Sequence, residues 1–248
     1  MRAVMLEAPF RWEGDHVAAD VAGAHALFTT RRGGVSAGPY ASLNLGLWTE
    51  DDPDATAENR ARVAAAAGVA PERVLHGRQV HGTTVRRATG ATGEPREEDG
   101  QATTLADAAA LVVGADCLPV LLASGRAVAA LHCGWGGLAQ GIVAEGVAAL
   151  RDLGAHGPVA AAIGPGARGC CYEVGEERHA VFAGVPGARA GERNLDLPAV
   201  ARHRLAEAGA GEIHDTGLCT ICAGEELFFS HRRDAGVTGR QAGVVWRA

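Results

Sequence analysis

The sequence predicts an α/β fold. Short, nearly continuous apolar runs of strand length recur along the chain, and longer segments with helix start and stop signals lie between and around them. At 248 residues, with 47% hydrophobic residues and a mean hydropathy near zero, the chain is expected to form one large domain, residues 1–248, with a sizeable core.

The elements follow in order. A first helix is expected over residues 55–67, rich in Ala and Arg, with Asp54 as N-cap and Gly68 as stop. Residues 89–100 (TGATGEPREEDG) are polar and rich in Gly and charge, and read as a solvent-exposed surface excursion. The runs 110–114, 118–123 and 127–131 are short and apolar almost throughout, as strands buried on both faces are. A second helix is expected over 138–153, ending at Gly154, and 159–163 is another buried strand. A third helix over 198–208 opens with Pro198 at a first-turn position and stops at Gly209, and 243–246 reads as the last strand.

Composition excludes several function classes. No apolar run approaches the roughly 18 residues of a membrane span. Residues 1–20 carry Glu7, Arg11, Glu13 and Asp15 and lack an apolar signal region, so a cytoplasmic protein without a membrane partner is expected. Every basic residue is arginine, which removes Schiff-base, lysine-base and Walker-type chemistry and leaves anion binding to guanidinium groups and backbone amides. A net charge of −6 argues against nucleic acid as a partner. The six cysteines read as free thiols or ligands, with the single Cys219-Thr220-Ile221-Cys222 spacing structural and Cys170-Cys171 a pair of buried thiols.

Three stretches hold residues suited to chemistry: Gln79-Val80-His81-Gly82, Ala115-Asp116-Cys117-Leu118-Pro119 and His132-Cys133-Gly134-Trp135-Gly136-Gly137. Taken singly, Cys117 reads as a small buried hydrophobe and His132 as an ordinary hydrogen-bonded side chain. His132 follows an apolar run and precedes a Gly-rich turn, a position that presents a side chain firmly. Asp116 is expected on the face opposite Cys117, and His76 on the surface. The stretch Arg31-Arg32-Gly33-Gly34-Val35-Ser36 combines guanidinium charge with glycines that let amides turn toward an anion. Asn44 offers amide donors to a base or ribose, and Arg232, Arg233, Arg240 and Gln241 form a further polar cluster.

These stretches occur together with Phe28-Thr29-Thr30-Arg31, Ser42-Leu43-Asn44-Leu45-Gly46, Ile163-Gly164-Pro165, Cys171-Tyr172-Glu173-Val174-Gly175, Phe229-Ser230-His231-Arg232-Arg233-Asp234 and Thr238-Gly239-Arg240-Gln241. In that order, over residues 28–246, the chain closely resembles the multi-copper polyphenol oxidase/laccase-like family, also called the YfiH or laccase-domain purine nucleoside phosphorylase family. The resemblance implies a layered α/β sandwich with mixed sheets, related to the catalytic domains of cytotoxic necrotizing factor toxins. It implies a zinc site of His81, Cys117 and His132, with one position left for water or substrate and with copper able to occupy the same ligands. It further implies phosphorolysis of adenosine, inosine, guanosine and methylthioadenosine, with phosphate as co-substrate, and deamination of adenosine. Cys117, His132 and Glu173 are then the catalytic candidates, and Arg31, Ser36 and Asn44 the substrate-binding ones.

The chain departs from the family wording at Gly136, where an arginine is usual, at Cys133, at Gly166 and at Ala123-Ser124, where an acidic residue often stands. The His-x-Glu acid/base motif of cytidine-type deaminases is absent after both histidines. Two other readings follow from the same residues. One is a metal-independent Cys117–His132 hydrolase acting in cell-wall precursor editing. The other is a copper polyphenol oxidase, against which the ten scattered histidines, none in a His-x-His pair, weigh heavily.

Overall fold

The computed structural model describes residues 5–90 and 95–247. A meander of β1 (Arg11–Glu13), β2 (His16–Val21) and β3 (Ala24–Phe28) leads through a long loop to α1 (Pro53–Ala66). Then come β4 (Val74–Leu75), β5 (Val85–Ala88), β6 (Gly100–Thr103), β7 (Ala109–Gly114), β8 (Leu118–Ser124) and β9 (Ala127–Cys133). Two helices follow, α2 (Trp135–Gln140) and α3 (Ile142–Asp152), and then β10 (Val159–Ile163). Next are α4 (Glu176–Val181), the small ladder of β11 (Arg189–Ala190) and β12 (Asn194–Leu195), and α5 (Leu197–Glu207). The final elements are β13 (Ala210–Asp215) and β14 (Gln241–Arg247).

Two six-stranded sheets result, ordered β1-β2-β3-β14-β7-β4 and β13-β10-β8-β9-β6-β5. Both are mixed, because β4–β7, β5–β6 and β10–β13 run parallel while the other neighbours are antiparallel. The period-two alternation of β8 and β9 builds the layers. Leu121 and Val128 join Phe28, Val112 and Val245 in the core between the sheets. Leu118, Val120, Leu122 and Leu131 turn the other way, into a core shared with Val143 and Leu150 of α3 and Val200 and Leu205 of α5. On the outer face of the first sheet, Val63 and Ala64 of α1 pack on Leu27, Leu111 and Val244. The layers are therefore helix, sheet, sheet, helix, as the family resemblance implies. Each fully buried Leu or Val contributes roughly 1.5–3 kcal/mol relative to exposure, and β8 and β9 supply such residues to both faces at once.

Several expected boundaries move for identifiable reasons. Pro53 occupies the first turn of α1, so the cap is Asp52, which accepts a bond from the Asp54 amide at 2.9 Å, rather than Asp54. The single helix expected over 138–153 is two helices, because Gly141, at φ +101°, turns the chain between α2 and α3. The β9 ladder runs on to Cys133, so His132 lies within the strand instead of after it. Within the predicted 89–100 excursion, residues 91–94 lie outside the described residues, and its far end is the reverse of exposed. Glu98 and Asp99 are buried, the former paired with Arg86 at 3.0 Å. His76 is likewise not a surface histidine. Burial, with Arg60 and Arg86 nearby, brings its pKa down to about 4.

The left-handed backbone at Gly141 is costly for any residue with a Cβ. Gly141→Ala is expected to destabilise the protein by about 1–2 kcal/mol, read as a lowered denaturant midpoint with an unchanged slope. A midpoint equal to that of the unsubstituted protein would show that the α2–α3 junction tolerates a side chain.

Candidate metal centre

The sheet geometry brings His81, Cys117 and His132 to one point. His132 shares its parity along β9 with Val128 and Ala130, which face the space between the sheets. Cys117 sits in the short turn that carries the chain from β7 in one sheet to β8 in the other. His81 lies in a bend whose backbone is left-handed at φ +62°. One ligand atom from each residue lies within 4.8 Å of the others. The Cys117 Sγ is 3.9 Å from His81 Nε2, and the two imidazole rings meet edge to face with centroids 4.9 Å apart. Gly134 leaves room for these groups, since a Cβ would stand 3.0 Å from Cys117 Sγ and 3.1 Å from His81 Cδ2, closer than side chains ordinarily pack. Two imidazoles and a thiolate form a donor set suited to zinc and copper alike.

Asp99, which the sequence reading left in an exposed loop, organises this group. One carboxylate oxygen meets His132 Nδ1 at 2.8 Å and accepts from the His81 amide at 2.9 Å. The other accepts from the amides of Val80 and Gly82, at 3.1 and 2.7 Å. With Nδ1 committed to Asp99, His132 presents Nε2 to the centre, the usual arrangement behind a metal-ligating imidazole. Burial pushes the Asp99 carboxyl up, but His132 and the Gly82 and Val80 amides more than offset this and hold it below the ordinary range.

The ligands polarise one another. Burial pushes the Cys117 thiol up, and the neighbouring His132 and His81 reverse this to bring it down to about 6. Burial pulls His132 down, and Cys117 and Asp99 reverse this to raise it to about 9. Without a bound ion, a thiolate–imidazolium pair is therefore stable between about pH 6 and pH 9. It is lost to thiolate protonation below that window and to imidazolium deprotonation above it. Adjacent Cys133 faces the helix-side core, and burial holds its thiol well above the ordinary value.

The triad lies in a cleft of about 540 Å³, walled by Trp48, Trp135 and Tyr172 and edged by Arg178, Arg232 and Arg240. The Arg178 guanidinium lies over the Trp135 ring at 5.0 Å, and that of Arg232 over Tyr172 at 5.1 Å. Gln79 fastens the His81 loop to β7 by bonds in both directions with Val113. At Gly136 an added Cβ would meet the His81 carbonyl at 3.5 Å, Gln140 Nε2 at 3.7 Å and His81 Cβ at 4.0 Å, ordinary contact distances, so a side chain could begin there without a clash.

Other predicted site residues lie elsewhere. Arg31 is bound to the carbonyls of Ala41 and Glu225 and lies over Phe229, in a surface hollow separate from the cleft. Ser36 donates to Asp51 at 2.6 Å, and Asn44 is buried, bridging Asp51 and Thr49 to the amides of Gly46 and Arg240. These are loop-fastening contacts. Glu173 is not carried to the centre, because its bridge to Asn194 turns the carboxylate to Arg193, 3.0 Å away. Asp116 does not face away from Cys117, since both line the cleft. At φ +91° it accepts from Thr220 Oγ1 and the Arg232 amide, both at 2.7 Å, and so holds the cleft wall. Arg233 is paired with Asp234, and Gln241 bonds the Phe229 backbone. Cys170 is exposed and Cys171 half-buried, because both occupy an outer turn rather than the core.

The sequence matches a family model described as multi-copper polyphenol oxidoreductase laccase over residues 25–248. It is 42% identical over 243 residues to the purine nucleoside phosphorylase ORF3 of Streptomyces griseus, covering 93% of this chain and 98% of that one. It is 43% identical over 228 residues to a purine nucleoside phosphorylase of Deinococcus radiodurans, covering 88% of this chain and 87% of that one. The fold is similar to crystal structures of YlmD from Geobacillus stearothermophilus (TM-score 0.88, 32% identity, 96% and 98% coverage) and of YfiH from Bacillus licheniformis (0.89, 29%, 98% and 100%).

Replacing Asp99 by Asn keeps the size of the side chain but removes the charge that orients His132. Metal affinity of Asp99→Asn, measured by chelator competition, is expected to fall about 10–100-fold, and an unchanged affinity would remove Asp99 from the centre. In the metal-free protein, alkylation of Cys117 by iodoacetamide is expected to keep its rate from pH 9 down to about pH 6 and to fall below that. A rate that already falls near pH 8.5, the ordinary thiol range, would show that the imidazoles do not hold the thiolate.

Proposed function

The chain belongs to the multi-copper polyphenol oxidoreductase laccase family, and on that premise we propose that it is a zinc-dependent purine nucleoside phosphorylase. Its substrates are adenosine, inosine, guanosine and methylthioadenosine with phosphate, and it also deaminates adenosine. The observation that carries this reading is the composition of one cleft, in which the His81–Cys117–His132 group, flat aromatic walls and guanidinium groups share a single space. In this reading His81, Cys117 and His132 hold the ion, which would supply Lewis acidity and the means of making water acidic near neutral pH.

The chain's own residues do the rest. Trp48, Trp135 and Tyr172 offer faces on which a purine stacks. Arg178 and Arg232 are already positioned on two of those rings, and they hold the phosphate dianion beside C1′ by charge-assisted bonds. Phosphorolysis forms the bond from C1′ to a phosphate oxygen as the bond to the base nitrogen breaks, and the base leaves with that electron pair. Arg178 also supplies the charge missing at Gly136, since its guanidinium stands over the ring of neighbouring Trp135. This assignment moves anion binding from Arg31, whose Nε and one Nη bond the Ala41 and Glu225 carbonyls outside the cleft, to Arg178 and Arg232.

A second reading is favoured by the Asp99–His132–Cys117 sequence of contacts, which has the orienter, base and nucleophile of a cysteine hydrolase. One experiment separates the two. Each of the four nucleosides is incubated with the purified protein, with and without phosphate and before and after chelation, and free base and ribose 1-phosphate are measured. Base release that needs phosphate and is lost on chelation and in His81→Ala supports the phosphorylase. No phosphate-dependent release from any of the four overturns it, and metal-free activity abolished by iodoacetamide establishes the hydrolase.

Arg178→Ala is expected to raise the KM for phosphate about 10–100-fold, from the loss of roughly 1.5–3 kcal/mol for a charge-assisted contact. Deamination, which holds no dianion, should change far less. Equal losses in both activities would assign Arg178 to the nucleoside instead.

A further inference from the structure

Four of the six cysteines, all outside the cleft, converge on a second point. Cys170 and Cys171 lie in the turn that follows Arg168, and Cys219 and Cys222 on a separate loop after β13. Their four Sγ atoms all lie within 4.8 Å of one another. A zinc ion with four sulfurs at about 2.3 Å places those sulfurs about 3.8 Å apart, and Cys170 and Cys222 approach to 3.5 Å. That separation is well beyond the roughly 2.05 Å of a disulfide. The cluster is also too tight for a multi-iron centre, which spreads its ligands around several metal atoms.

The backbone supports the same reading independently. The Ala223 amide donates to the Cys219 carbonyl at 3.0 Å, so residues 219–223 curl into one tight knuckle that brings both sulfurs of the CxxC spacing to the same point. The knuckle is anchored at its base by the bridge between Gly166 and Cys219 and by the Thr220 amide bonded to the Gly166 carbonyl at 3.1 Å. The guanidinium of Arg168 lies close enough to Cys219 to offset part of the charge that four thiolates bring.

We propose that Cys170, Cys171, Cys219 and Cys222 bind a structural zinc ion, distinct from the centre in the cleft. Binding displaces the thiol protons to solvent and leaves no open coordination position, so the site is structural rather than catalytic. Its place in the fold gives it a purpose. Tyr172, beside Cys171, walls the cleft, and Thr220, beside Cys219, donates to Asp116 next to Cys117. An ion joining the two segments fixes both from behind.

The test is metal content of the full-length protein, purified under reductant with zinc present, and it needs no activity. The unsubstituted protein should carry two zinc ions per chain. Cys170→Ser/Cys222→Ser should carry one, His81→Ala/His132→Ala should carry one, and the combined variant none. Reconstitution of His81→Ala/His132→Ala with cobalt(II) should give the charge-transfer and ligand-field absorption of a tetrahedral four-thiolate ion. Should the cysteine variant fail to fold, the unsubstituted protein still decides. Its Cys170 and Cys222, exposed in the fold, should resist iodoacetamide when zinc-loaded and react after chelation. A single zinc per chain that is lost with the histidines, reactive thiols in zinc-loaded protein, or iron or a disulfide at these four cysteines overturns the proposal.

Discussion

The Asp99 carboxylate is the contact on which the centre depends. It gathers three consecutive amides, those of Val80, His81 and Gly82, and the Nδ1 of a strand residue, His132, all at hydrogen-bond distance. A buried carboxylate without partners is very costly, so it tolerates few alternatives to this arrangement. In satisfying itself it sets the tautomer of His132 and holds His81 in a left-handed backbone that a non-glycine residue adopts at a cost of roughly 1–3 kcal/mol. The Asp99 carbonyl accepts the His132 amide as well, at 2.7 Å, so backbone and side chain impose the same registration.

The strands most legible in the sequence are those whose signal is purely local. Residues 159–163 read as a buried strand and form β10 with those bounds, and β7, β8 and β9 depart from their expected limits by only a residue or two. Composition alone marks them, because burial on both faces demands apolar residues throughout. The edge and short strands escaped notice, β1, β5 and β6 because their residues are polar or mixed and β4 because two residues make no pattern, so that pairing alone defines them. The single helix expected over α2 and α3 failed at Gly141, since a glycine inside a helical pattern signals either tolerance or a break, and only the fold decides.

The site divides in the same way. His81, Cys117 and His132 are found by the wording of their neighbours, and the fold brings them together. Asp99 ends a stretch as polar as any surface loop, and nothing local marks its carboxylate as buried. Its role is created by β6 pairing with β9, a contact between segments far apart in the chain. Arg31 is the converse case. Its Gly-rich setting suggests an anion loop, but the same geometry serves to tie that loop to Ala41 and Glu225. Of the arginines that edge the cleft, Arg178 and Arg232 are marked by the aromatic rings beneath them.

β14 lies in the interior of the first sheet, between β3 and β7, although it spans residues 241–247. The ribosome must therefore have carried synthesis past Arg247, and released that strand from its exit tunnel, before β3 and β7 acquire the neighbour that joins them. Until then the β7–β8 turn, which holds Cys117, has only one of its two sheets to rest on. The three residues of the centre, all between positions 81 and 132, are thus synthesised long before the strand that joins the segments around them, and the site takes its final shape only when the last strand of the first sheet is in place.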